Sequence, residues 1–79
     1  MPAVKFSSDR VREARGDRSL AEFAYQITRH IHQHIDADHK PLSRQTVANW
    51  ESGVAAPRAT NMEGLCGFTG RPVSYFFGE

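Results

Sequence analysis

Arg44, Gln45 and Asn49 bring three forked hydrogen-bonding groups within two turns of one another. Arginine presents a planar set of donors, and each amide sets a donor beside an acceptor. These are the groups that pair with base edges in the major groove of DNA, and the small Ala48 between them lets a helix come close. A solvated polar face on an ordinary surface helix uses the same residue types, so the reading depends on what holds these side chains and what surrounds them.

Four histidines form the other chemically suggestive group. His30 and His34 are four positions apart and share a face if helical, a spacing that suits two zinc ligands. No cysteine lies near in sequence, the nearest acids are Asp36 and Asp38, and spacing fixes no third ligand. The expectation for His30, His32, His34 and His39 is a solvated polar face and loop, with no metal. Cys66 stands alone among apolar neighbours, so no disulfide forms within the chain and a cytosolic setting is expected. No Ser/His/Asp or Cys/His set is placed by spacing and no glycine loop is suited to phosphate, so neither an enzyme nor a cofactor or small-molecule site is expected.

These side chains need elements to position them. Ser43 suits a helix N-cap and Gly53 the left-handed residue after a helix, which predicts a helix over 43–52. Within it Val47 and Trp50 are three apart and turn inward, away from Arg44, Gln45 and Asn49. Upstream, Ser7 or Ser8 caps a short helix ending near Arg15, with Val11 and Ala14 inward and Gly16-Asp17 as its stop. Ser19 to Glu22 reads as a capping box opening the longest helix. Its apolar stripe is Leu20, Phe23, Ala24, Ile27, Ile31 and Ile35, and Asp36 to Pro41 break it. Thr60 to Glu63 reads as another capping box, for a helix with Met62, Leu65, Cys66 and Thr69 inward. Val73 to Phe77 forms a last apolar turn with Phe76 inward. Tyr75 or Phe77 is then left partly exposed, a surface on which two copies would pair.

The chain has 79 residues, enough for one domain with a modest core and too few for a catalytic cleft between layers. Its 39% hydrophobic and 24% charged residues suit a globular domain rather than a disordered tail. A net charge of +1 is too small to signal nucleic acid by itself, so any basic footprint must come from the distribution of charge. No signal peptide and no apolar run of membrane-spanning length occurs, so no membrane role is expected.

Arg10–Arg15 (R-V-R-E-A-R), Ser19–Ala24 (S-L-A-E-F-A), Leu42–Gly53 (L-S-R-Q-T-V-A-N-W-E-S-G) and Ala56–Ala59 (A-P-R-A) together resemble the Cro/repressor-type, or XRE, helix-turn-helix family. Leu65–Phe77 is similar to the closing segment of actinobacterial members. The resemblance covers about Ser7 to Phe77. It implies an all-α fold of four to five short helices whose helix over 43–52 reads an operator in double-stranded DNA, as a transcriptional repressor of phage or bacterial type. Residue by residue, it implies an Arg15–Glu51 ion pair and base reading by Arg44, Gln45 and Asn49. It puts Ser43 and Thr46 at the sugar-phosphate edge, and Ser52 and Arg58 at phosphates.

The sequence departs from the family in two places. Leu20 stands where the family commonly has a phosphate-binding glutamine. The caps Ser19 and Ser43 are 24 positions apart, roughly a dozen more than a short helix-turn-helix connection needs. The extra residues, 28–41, lengthen the second helix and the loop after it, similar to the extended connection of EspR-type mycobacterial regulators. They bring Arg29, the histidines and Lys40 beside the expected DNA face, as solvated loop residues or as added backbone contacts, Lys40 being the candidate contact. Residues 1–6 are expected to be a flexible arm, with Lys5 within reach of a phosphate. A reading from a different class is a protein-binding module, such as an antitoxin or anti-repressor, on the same fold.

Overall fold

A computed structural model describes residues 5–78. Among them the chain forms five helices: α1 (Ser8–Arg15), α2 (Leu20–His34), α3 (Arg44–Ser52), α4 (Ala59–Thr69) and α5 (Val73–Phe76). The fold is all-α, and the one extended pairing among these residues is a single antiparallel β-bridge between Phe6 and Phe77. No helix among them is long and apolar enough to cross a membrane.

The first three helices begin where the caps place them. The hydroxyls of Ser7, Ser19 and Ser43 each accept the backbone N–H three residues on, from Arg10, Glu22 and Thr46, which satisfies one of the free donors of each first turn. Gly53 closes α3 with φ 82°, a left-handed conformation in which a Cβ would be strained.

The stripe on α2 forms the centre of the core. Phe23, Ala24, Ile27 and Ile31 are buried, with Leu20 and Ile35 packed at its ends. α2 packs against both α3 and α4, while α1 packs against α3 and α5. Val11, Val47, Trp50, Met62, Leu65 and Phe76 complete the buried set from the other four helices. Gly64, which costs helix propensity, is buried where α4 crosses Ile27 and Ile31; a Cβ there would fall inside the Ile31 side chain. The absent side chain is what lets the two helices approach so closely.

Gly67 makes room for the His30 ring in the same way. Burial there, and then the neighbouring His34, hold the His30 imidazole below the usual histidine range. The unfolded chain therefore binds the proton more readily than the folded one. The resulting stability is present above the ordinary histidine value, about 6.5, and is lost as pH falls from there toward the folded value. His30→Gln is expected to flatten the decline of the unfolding midpoint as pH falls below about 6.5. An unaltered pH profile in the variant would show that His30 contributes nothing to it.

Several sequence expectations are corrected by the fold. Thr60 does not cap α4: the helix begins at Ala59, with extended Arg58 in the cap position and no side-chain cap bond. Ala59 takes a φ of 33°, which turns the chain into the helix one residue before Thr60. Of the expected arm, Met1–Val4 lie outside the described residues, and Phe6 is held by its bridge to Phe77 and by the Ser7 N–H donating to the Phe76 carbonyl at 2.7 Å. The segment 28–41 is stitched to the helices rather than merely solvated. Buried Thr28 donates to the Ala24 carbonyl at 2.8 Å and accepts the Leu42 N–H at 3.0 Å. His32 donates from Nε2 to the His39 carbonyl at 2.7 Å, and His39 donates from Nε2 to Asn61 Oδ1 of α4 at 2.8 Å.

Candidate nucleic-acid interface

α3 is fixed at both ends by side chains from elsewhere. At its C-terminal end Glu51 is turned inward, 8% exposed. Arg15 of α1 holds the carboxylate with two bonds, Nε to Oε2 at 2.6 Å and Nη2 to Oε1 at 3.0 Å, the fork-to-fork geometry that makes arginine a strong partner. That contact, together with the attraction of the carboxylate, raises the Arg15 pKa above its ordinary value despite partial burial. Arg12 adds a bond from Nη2 to the Glu51 carbonyl at 3.2 Å, while also pairing with Asp9. At the N-terminal end the Thr28 bridge to Leu42 sets where the chain turns into the helix.

With Val47, Trp50 and Glu51 buried, the rotation of α3 is determined. At about 100° per residue, Arg44, Gln45, Ala48, Asn49 and Ser52 share the opposite arc. Arg44, Gln45 and Ser52 are exposed, and Ala48 and Asn49 are half-buried. Gln45 Nε2 donates to Asn49 Oδ1 at 3.0 Å, and Ser52 donates to the Asn49 carbonyl at 3.3 Å. Arg44, Gln45 and Ser52 are thus left uncovered by segment 28–41. Ser43 and Thr46 are engaged with each other: the Thr46 N–H reaches Ser43 Oγ at 3.1 Å, and the two hydroxyls are 3.0 Å apart.

The charge distribution separates used from unused cations. Arg10, Arg12, Arg15 and Arg18 each donate to groups within the chain, and the Arg71 guanidinium lies over the Tyr75 ring. Lys5, Arg29, Lys40, Arg44 and Arg58 are exposed and have no acidic partner within 4.0 Å among the described residues. Three of these five flank or begin α3: Lys40 ahead of it, Arg44 in its first turn, and Arg58 beyond the connection after it. The only acid of α3, Glu51, is neutralised from behind, so its exposed arc carries a cation, two amides and no carboxylate. Asp36 and Asp38 lie farther back in the connection, where the Asp38 N–H donates to the Asp36 carboxylate.

The C-terminal aromatics are half-buried and occupied within the chain. Tyr75 donates its hydroxyl to Glu13 at 2.8 Å, a bond that raises its pKa, and its ring lies under the guanidinium groups of Arg10 and Arg71. Phe77 packs edge-on against Phe6. Among the described residues the exposed large apolar side chains are instead Tyr25 of α2, Val54 of the connection after α3 and Val73 of α5. The rings of His30 and His34 lie 4.6 Å apart, and His32 and His39 stitch the segment 28–41 to α4.

Sequence reasoning does not find Arg12, Thr28, His32, His39 or Asn61 as positioning residues. Arg12 alone carries a signal, since it lies one turn before Arg15 on the same face of α1. No family model matches the chain, and no curated protein or solved structure is significantly similar to it.

Proposed function

We propose that this chain binds double-stranded DNA through the exposed arc of α3 and acts as a transcriptional regulator, occupying an operator and excluding polymerase. The observation that carries this reading is the composition of the arc: Arg44, Gln45 and Asn49 face outward around a small Ala48, while the acid that would repel phosphate is drawn inside by Arg15. Arg44 then favours guanine, and the amides favour adenine. Lys40 and Arg58 hold phosphates on either side and set the register without reading sequence. Two copies on palindromic half-sites about one helical turn apart would extend the site. The protein-binding alternative gains little support, because single exposed apolar residues on separate elements are ordinary for a surface.

A gel shift of duplex DNA at two salt concentrations tests the proposal. Affinity is expected to fall steeply with salt, since each neutralised phosphate releases counterions. Arg58→Ala should weaken all sequences alike and lower the salt slope by about one. Arg44→Ala should relax preference at one base pair, at a cost of about 1–3 kcal/mol there. If no duplex is retained even at low salt, α3 is not a DNA-reading helix.

A further inference from the structure

The bond from Gln45 to Asn49 bears on how α3 would read a base, and its significance rests on the DNA-binding reading proposed for that helix. One amide N–H of Gln45 and one lone pair of Asn49 Oδ1 are spent on each other at 3.0 Å. Besides the second Gln45 N–H and the second Asn49 Oδ1 lone pair, the pair keeps Gln45 Oε1 wholly free as an acceptor and the Asn49 NH2 wholly free as a donor. Exchanging O and N in both amides reverses these roles and again leaves one whole acceptor on one residue and one whole donor on the other, so the property belongs to the pair. Asn49 is also the more tethered of the two. It is half-buried, and its carbonyl accepts the N–H groups of Gly53, Val54 and Ala55, which tie its backbone to the turn after the helix.

We infer that Gln45 and Asn49 act as one composite reader of a single adenine, rather than as two readers of two bases. Adenine presents a donor, N6–H, beside an acceptor, N7, and so complements an acceptor beside a donor. Guanine offers two acceptors on that edge, cytosine only a donor, and thymine an acceptor and a methyl group, so each leaves one member of the pair unmatched. Asn49, held by the helix end, buttresses Gln45. Holding the longer side chain in place before binding reduces the rotamer freedom it must lose on the base. The adjoining Arg44 remains free for a separate base pair.

The test is selection from a pool of duplexes with a randomised core, followed by titration of the selected duplex and its single-base-pair variants. It compares the unaltered chain with Q45A, N49A and the double variant, with circular dichroism confirming that each is folded. Under the composite reading both single variants lose about 10- to 100-fold discrimination at the same A·T pair. The double variant then loses no more than either one, because the unit is already broken. Loss of preference at two different base pairs, or multiplication of the two losses in the double variant, would overturn the composite reader while leaving DNA binding by α3 intact. Selection of no sequence by the unaltered chain would remove both readings.

Discussion

Trp50→Ala is expected to leave the domain at the edge of unfolding at room temperature. Trp50 is 2% exposed and belongs to the largest buried side chains, packed with Val47 between the helices that hold α3. Truncating a core tryptophan costs about 3–5 kcal/mol, part lost transfer energy and part cavity. A domain of this size has a total stability near the low end of roughly 5–15 kcal/mol, so the loss removes most of it. The measurement is a urea titration followed by far-ultraviolet circular dichroism, since the variant has no indole to report. Trp50→Phe, which fills most of the space, should remain folded with a lowered midpoint. A Trp50→Ala chain with a midpoint near that of the parent would mean that the indole is outside the core and that α3 is rotated, which would also turn Arg44 and Gln45 inward.

Arg15→Ala is expected to be the next most damaging change, at about 2–3 kcal/mol. Removing one member of a buried ion pair costs about 3–5 kcal/mol, because the other charge is left buried and alone. Here the Arg15 side chain is 24% exposed and Glu51 9%, so water reaches part of the site and the figure is discounted. Arg15→Lys keeps the charge but not the two-pronged geometry, and should recover only part of the loss. Arg15 is remote from the exposed arc, so under the proposed function its removal should lower stability and DNA affinity together. DNA affinity lost at unchanged stability would instead make Arg15 a direct contact.

The parts of the fold visible in the sequence are those encoded locally. The caps of α1, α2 and α3 and the stripe from Leu20 to Ile35 depend on residues three or four apart, and each forms where read. The start of α4 is misleading in the sequence because Thr60 and Glu63 have capping-box spacing, whereas the turn at Arg58 and Ala59 sets the entry one residue sooner. Gly64 and Gly67 read locally as costs to the helix. Their value emerges only when Ile31 and His30 are brought against them from α2.

Long-range pairings are the least legible. Nothing near Tyr75 announces Glu13, and nothing near Phe77 announces Phe6. The same holds for His39 and Asn61. Exposure of Arg44 and Gln45 goes with the burial of Val47 and Trp50, but the internal bond between Gln45 and Asn49 depends on rotamers that spacing does not specify.

The antiparallel bridge between Phe6 and Phe77 also sets how the molecule would bear load. Tension applied at residues 5 and 78 acts on strands that leave the same end of the bridge, so the Ser7–Phe76 bond is opened by peeling rather than by sliding. Peeling breaks bonds in succession and needs little force. Stretching would therefore detach α5 from α1 first, while the interlocked α2 and α4, joined through Gly64, stay together until higher tension.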